Sequence, residues 1–314
     1  MTTQAATIAS DPRWQAVQAR DRTADGHFVY SVRSTGVYCR PSCPSRPARP
    51  ENVAFHDNGA AAERAGFRPC KRCRPDQMAP PTEVRSTALD WGGIASNLNE
   101  QGAAMLPSLL TGAECRAIAA LFPRDDLFRS HVVMARHGFG KGDYKYFAYP
   151  MPDPVHALRA ALYSRLVPIA NAWHAAMGLE RRFPADHADF LAQCHAAGQA
   201  RPTPLLLQYG PHDYNALHQD LYGDLVFPLQ VAVLLSEPEC DFTGGEFVLT
   251  EQRPRMQSRA EVVPLRQGDA VVFAVNHRPV RGTRGSYRVT MRHGVSRLRS
   301  GQRHTLGLIF HDAA

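Results

Sequence analysis

The chain has 314 residues, 44% of them hydrophobic, with a formal net charge of +7 at pH 7 and a pI near 9.2. That length accommodates one large and one small domain, and the apolar content supports a folded core rather than a disordered or fibrous chain. No run approaches the ~18 apolar residues of a membrane span, and Met1 to Ser10 has neither the basic start nor the apolar run of a secretion signal. A cytoplasmic protein without membrane partners is expected, and its basic balance points to an anionic partner, nucleic acid first.

Residues 1–10 are expected to be disordered, and a small domain to occupy residues 11–78. Four of the seven cysteines gather there as Cys39-x3-Cys43 and, after 26 residues, Cys70-x2-Cys73. In a reducing compartment that spacing favours tetrahedral Zn2+ over disulfides, and a domain of this size gains from such a metal because its core is small. Cys115, Cys194 and Cys240 stand apart and read as small buried hydrophobes. The motifs around the ligands, Thr35-Gly36-Val37-Tyr38-Cys39-Arg40-Pro41-Ser42-Cys43, Arg49-Pro50-Glu51-Asn52-Val53-Ala54-Phe55 and Ala65-Gly66-Phe67-Arg68-Pro69-Cys70-Lys71-Arg72-Cys73, closely resemble the zinc-binding N-terminal domain of the Ada DNA-methylation response proteins. The resemblance covers nearly the whole domain, and implies that it binds methylated DNA and that Cys39 accepts a methyl group from a methylphosphotriester. Between Arg33 and Arg74 there are nine Lys/Arg and three Asp/Glu. With four thiolates and one Zn2+ the region carries +4, and methylation of Cys39 would raise this to +5 and tighten phosphate binding. After Cys73 neither the helix-turn-helix activator nor the alkyltransferase motif of full-length Ada follows, so transcriptional activation is not implied.

Residues 79–90, rich in Pro and polar residues at their start, read as a semi-rigid linker to a second domain at 91–314. Thr111-Gly112-Ala113-Glu114 is a capping box opening a helix to about Phe122. Asp153 is expected to cap a longer helix, with Val155, Leu158, Leu162, Leu166, Ile169 and Trp173 as its apolar stripe and a kink at Pro168. These helices should brace one outer face of a sheet. The run Phe139 to Phe147 interleaves Gly, Lys and Tyr in a loop-like stretch, which suits either a substrate or strand contact or a solvated hairpin.

Beyond residue 203, short apolar runs at 204–209, 228–236, 245–250, 262–265, 270–275, 287–292 and 304–310, punctuated by glycine turns, predict antiparallel strands of a double-sheet jelly roll. The fold class is therefore α+β: a small four-cysteine zinc domain, then a jelly-roll domain braced by helices. His218-Gln219-Asp220 follows the first of these runs. In extended backbone i and i+2 share a face, so an imidazole and a carboxylate can meet one metal. About one His-x-Asp is expected by chance from 14 His and 18 Asp, and a second occurs at His187-Ala188-Asp189. That one reads as a helix start, where i and i+2 lie roughly 200° apart, so His187 is assigned a structural role. One more histidine completes the set, and His293 and His277 are the candidates.

His218-x-Asp220, His293-Gly294-Val295 and Gly301-Gln302-Arg303 together resemble the Fe(II)/2-oxoglutarate dioxygenases with a double-stranded β-helix core, over roughly residues 203–311. The resemblance implies that His218, Asp220 and His293 hold Fe(II) and that Arg303 pairs with the distal carboxylate of 2-oxoglutarate, on the strand after His293. Arg299, Arg297 and Arg292 are alternative carboxylate partners, and Tyr209 either donates to the cosubstrate or belongs to the core. The implied reaction couples oxidative decarboxylation of 2-oxoglutarate to C–H hydroxylation, which for an N-methyl group ends in formaldehyde and free amine. Three readings follow: a dioxygenase of the DNA alkylation-damage response, a protein hydroxylase of prolyl type, and a non-enzymatic methylation sensor. The AlkB-type nucleobase dioxygenases carry a second Arg six residues after the cosubstrate Arg, where this chain has Ile309, and an Asn-x-Tyr motif that appears here as Leu207-Gln208-Tyr209. The glycine-flanked His293 and Arg303 motifs look at least as much like the prolyl hydroxylases, which keeps a protein substrate open. An apparently intact triad with Arg303 argues against the sensor.

Overall fold

The computed structural model describes residues 8, 11–21, 24–77, 85–86, 88–283 and 285–314. The disorder expected at 1–10 and much of the linker expected at 79–90 lie outside the described residues. Contacts divide the chain into two compact units, residues 1–87 and 88–314.

In the first unit, α1 (Pro12–Ala19) begins at Asp11, whose carboxylate accepts from the Arg13 amide. A four-stranded sheet follows, built from β1 (Val29–Val32), β2 (Val37–Cys39), β3 (Val53–His56) and β4 (Arg68–Pro69) in the order β3-β1-β2-β4. Strands β2 and β4 run parallel with Tyr38 opposite Pro69. Cys39, at the end of β2, and Cys70, just past β4, therefore leave neighbouring strands in the same direction. The small apolar core gathers Trp14, Tyr30 and Val53 around Cys39, Cys43 and Cys73.

The second unit starts with α3 (Trp91–Gln101); α2 (Gly59–Arg64) belongs to the first. The expected capping box is present at α4 (Gly112–Ala119), where Thr111 Oγ1 accepts from the Glu114 amide and Glu114 accepts from the Thr111 amide. The cap position of helix α5 (Asp153–Ala176) is Pro152 rather than Asp153, which puts Pro154 second in the helix, and the helix continues through Pro168. Asp186 caps α6 (His187–Ala196), and His187 is held by the Phe310 carbonyl at 2.8 Å, as a structural histidine should be. Cys240 is exposed, not buried, because it lies in the turn before a short edge strand.

Two antiparallel sheets form the jelly roll. The larger has seven strands: β5 (Ala103–Leu106), β15 (Ala270–Ala274), β11 (Leu229–Leu234), β19 (Arg303–Ile309), β9 (Leu205–Tyr209), β8 (Asp143–Phe147) and β6 (Phe128–Val133), in that spatial order. The smaller orders β14 (Arg259–Val263), β13 (Phe247–Gln252), β17 (Gly285–Val295), β10 (Tyr214–His218) and β7 (Gly140–Lys141), with β16 (His277–Gly282) paired to β17. The run at 262–265 belongs to a strand that begins earlier, at Arg259, and β12 (Phe242–Gly244) with β18 (Leu298–Gly301) makes a separate ribbon. Arg303 thus lies two strands beyond His293, in the opposite sheet.

The large sheet explains the unbroken apolar runs. In β11, Val231 and Val233 face the helix-side core with Leu158, Leu162 and Leu166, while Ala232 and Leu234 face the inter-sheet core with Phe247 and Phe273. A strand buried on both faces reads as continuous hydrophobicity rather than alternation. No helix among the described residues is long and apolar enough to cross a membrane.

Candidate active site

In the first unit the sulfurs of Cys39, Cys43, Cys70 and Cys73 lie within 4.8 Å of one another. Each pair sits in a tight turn, with the Cys43 amide donating to the Arg40 carbonyl at 3.0 Å and the Arg74 amide to the Cys70 carbonyl at 2.8 Å. Asp25 braces the first turn by accepting from the amide and hydroxyl of Ser42. Hydrogen bonding to Cys43 and Cys73, and then burial, pushes the Cys39 thiol up. A divalent cation reverses that preference and fits four converging sulfurs.

In the second unit, His218 and His293 are direct partners across the β10/β17 pairing. Between Asn215 and His218 the register shifts, so two residues of β10 oppose one of β17, and this bulge turns both Asn215 and His218 inward. Gly294 is the residue opposite the bulge; a Cβ there would meet the Asn215 carbonyl oxygen at 2.6 Å. Asp220 lies two residues past His218. Its Oδ1 is 3.5 Å from His218 Nε2 and its Oδ2 is 3.3 Å from His293 Nε2. The Nδ1–H of His218 donates to the Ala216 carbonyl at 2.8 Å, leaving the Nε2 lone pair toward Asp220. Burial pushes the Asp220 carboxyl up, but the His293 and His218 imidazoles and the Tyr222 hydroxyl outweigh it and hold it well below the usual range. Burial also lowers His293. Two imidazole nitrogens and a carboxylate, with ligand atoms all within 4.8 Å of one another, are the donor set of a facial triad and fit Fe(II).

These residues open on a cavity of about 220 Å³ between the sheets. Strand alternation carries its lining: Leu205, Leu207 and Tyr209 from β9, and Arg303, Thr305 and Gly307 from β19. Arg303 is directly opposite Tyr209 in the ladder. It is 1% exposed, donates through Nη1 to Thr305 Oγ1, and has no ion-pair carboxylate among the described residues; its Nε lacks a partner. Burial pushes the guanidinium down to about 10, so it stays charged at neutral pH. The buried Tyr209 hydroxyl makes no well-formed hydrogen bond among the described residues, with the Asn215 side chain near it. A buried cation and a buried donor turned into one cavity are costly unless an anion completes them, and a dicarboxylate such as 2-oxoglutarate fits. The alternative arginines, Arg292, Arg297 and Arg299, are exposed and do not line the cavity. His277 pairs with Thr290 on the β16/β17 hairpin, away from the triad.

Sequence reading missed Tyr222 and Tyr146. Tyr222 donates to Asp220 Oδ1 at 2.8 Å and accepts from Tyr146 at 2.8 Å. The alternation His218-x-Asp220-x-Tyr222 was the available signal. Gln219, between His218 and Asp220, donates to Asn276 Oδ1 and the Met291 carbonyl and anchors the segment.

The family model described as "Oxygenase, catalysing oxidative methylation of damaged DNA" matches residues 142–313, and the metal binding domain of Ada matches residues 12–76. An uncharacterized protein of Mycobacterium tuberculosis, MT2286, is 55% identical over 54% of this chain and 72% of its own length. The bifunctional transcriptional activator/DNA repair enzyme Ada of Escherichia coli is 57% identical over 22% of this chain and 20% of its own. A 2OG-Fe(II) oxygenase family oxidoreductase of Burkholderia pseudomallei is similar at 17% identity and a TM-score of 0.44, over 72% of this chain and 94% of that one. Since the oxygenase match spans more than half of the chain, the protein belongs to the Oxygenase-NA family, with an Ada-type zinc-binding domain ahead of it.

Proposed function

We propose that this oxygenase, with Fe(II) and 2-oxoglutarate, hydroxylates N-methyl groups of nucleobases in alkylated DNA. Residues 91–314 form the oxygenase domain, and the zinc domain at 11–78 brings it to methylated DNA, in the cytoplasm. The observation that carries the reading is the unpaired, buried Arg303 facing the His218, Asp220 and His293 donors across one cavity.

His218, Asp220 and His293 would hold the iron. Bound Fe(II) and 2-oxoglutarate supply oxidative decarboxylation, which yields succinate and CO2 and places one atom of O2 on a substrate C–H. Arg303 orients the distal carboxylate through its planar fork, and Tyr209 adds a donor beside it. Phe247, Phe273 and Val295 keep water from the triad side of the cavity. The hydroxymethyl product loses formaldehyde and leaves the free amine. In the zinc domain Cys39 is the proposed methyl acceptor: its sulfur bonds the methyl carbon as the phosphate oxygen leaves with the electron pair. Cys39 is buried, so this transfer requires movement of the residues over its sulfur.

Tyr222 is a positioning residue. Tyr222→Phe should weaken Fe(II) binding about 10- to 100-fold, the usual range for losing a ligand's hydrogen-bond partner, as read by metal titration of the full chain. Unchanged affinity would assign Tyr222 to packing alone.

Ile309, six residues beyond Arg303 and buried on β19, supports a second reading, since the AlkB-type enzymes that the sequence was compared with have an arginine there. A protein hydroxylase would then be the alternative. The test is 2-oxoglutarate turnover in the presence of methylated oligonucleotide, unmethylated oligonucleotide or proline-containing peptides. Stimulation and formaldehyde release with the methylated strand alone are expected; stimulation by peptide alone would select the hydroxylase.

A further inference from the structure

Between Gln252 and Arg303 the sequence has twelve arginines, no lysine, and only Glu261 and Asp269 as acids. That segment carries +10, more than the +7 of the whole chain, so the remainder is net negative. Arg253, Arg259 and Arg278 face Glu251, just outside the segment, and Arg303 lines the cavity, so the surplus of positive charge rests on the other arginines. Asp269 is turned inward, accepting from the amides of Ser108 and Arg266.

Strand alternation then sorts the arginines. Val289, Met291 and His293 of β17 are buried, which puts Arg288 and Arg292 on its outer face, and Arg281 joins them because it pairs with Ser286. Arg292 is thus the immediate neighbour of a proposed iron ligand. Arg297 and Arg299 flank Leu298, which exchanges backbone hydrogen bonds with His212 and Asp213, the turn that leads into β10 and His218. None of these five forms an ion pair with a carboxylate among the described residues, although Arg288 also donates to the Met177 carbonyl.

At the cavity mouth stands Phe139, 48% exposed yet lining the cavity, with the exposed His137 ring stacked on it at 5.4 Å and 22°. Residues 134–141 carry Arg136 and Lys141 and no acid. An exposed aromatic pair at the entrance to a reaction cavity offers a planar surface to a planar ligand, and arginine forks suit phosphates.

We infer that the outer face of the small sheet, through Arg281, Arg288 and Arg292 with Arg297 and Arg299 at its rim, binds the phosphate backbone of single-stranded nucleic acid. Phe139 stacks on the unpaired base entering the cavity. This deepens the DNA reading and rests on it for the identity of the base, while the charge argument stands alone.

The experiment measures binding of a single-stranded oligonucleotide containing 2-aminopurine to the full chain as salt is raised. Replacing Arg288 and Arg292 together by Gln should reduce the slope of log affinity against log salt by about 1.4, two contacts at roughly 0.7 each. Arg165→Gln with Arg116→Gln, both exposed on helices, removes the same charge and should leave the slope unchanged; equal slopes in the two double variants would overturn the proposal. Phe139→Ala should lose the quenching of 2-aminopurine that Phe139→Trp retains, and equal quenching in both would remove the stacking role. If the strand binds as described but no formaldehyde forms from its methylated version, the demethylation reading fails and this surface remains. If methylated DNA turns over while the slope is unmoved, the reverse holds.

Discussion

Replacing His218 by Ala should reduce 2-oxoglutarate consumption to that of the metal-free protein and weaken Fe(II) binding by at least about 100-fold, the upper end of what losing a mere supporting hydrogen bond costs. His218 is the right ligand to remove because its side chain is 32% exposed, against 7% for His293. Losing a partly exposed imidazole at a strand end should change stability by no more than about 0.5–1 kcal/mol, so lost turnover would report lost metal and not unfolding. Truncating the buried His293 confounds the two effects. His277→Ala, on the hairpin away from the triad, should leave both metal binding and turnover intact. Retention of turnover by His218→Ala, or its loss in His277→Ala alone, would require a different ligand set.

Arg303→Met separates function from stability by sign. A hydrogen-bonded buried charge pair commonly loses about 2–5 kcal/mol when one partner is truncated, so the dissociation constant of 2-oxoglutarate should rise roughly 30- to 5000-fold. The cosubstrate-free protein should become more stable, because a desolvated cation whose Nε has no partner is replaced by an apolar chain of similar reach. For a chain of this size each kcal/mol gained is a rise of about 2–4 °C in Tm. Loss of binding together with a higher Tm identifies Arg303 as an anion site. A lower Tm with unchanged 2-oxoglutarate binding would show it to be structural. Arg299→Gln, exposed and outside the cavity lining, should alter neither.

How far the sequence revealed this site follows from where each signal is local. The cysteine pairs are local turns, so their spacing is nearly their geometry. His218 and Asp220 are likewise two residues apart, and their shared direction follows from extended backbone. The pairing of His218 with His293 is a register across 75 residues, and it is shifted by a bulge that the apolar pattern of either strand does not reveal. Tyr146 is equally remote: it reaches Tyr222 only because β8 and β9 are neighbours in the large sheet. Strands such as β10, β12, β16 and β18 escaped because they are short or polar and lie at the rim, where alternation is broken by the bulge at Asn215–His218 and by Arg and Gly. The buried strands β9, β11, β15 and β19 were legible because both of their faces are apolar. Asp153 was misplaced as a cap by one residue, since Asp is a preferred cap and Pro154 is tolerated anywhere in the first turn, where its missing N–H costs nothing.

The central claim, that the oxygenase removes methyl groups from damaged DNA, is tested most directly with DNA carrying isotopically labelled methyl groups from an alkylating agent. Incubated with the full chain, Fe(II) and 2-oxoglutarate, it should yield labelled formaldehyde that disappears with His218→Ala but persists, at a yield lowered by the loss of a zinc ligand in the recruiting domain, with Cys39→Ala, while label on the Cys39 peptide is lost with Cys39→Ala and retained with His218→Ala. Formaldehyde without label, or labelled formaldehyde undiminished in His218→Ala, would contradict the account.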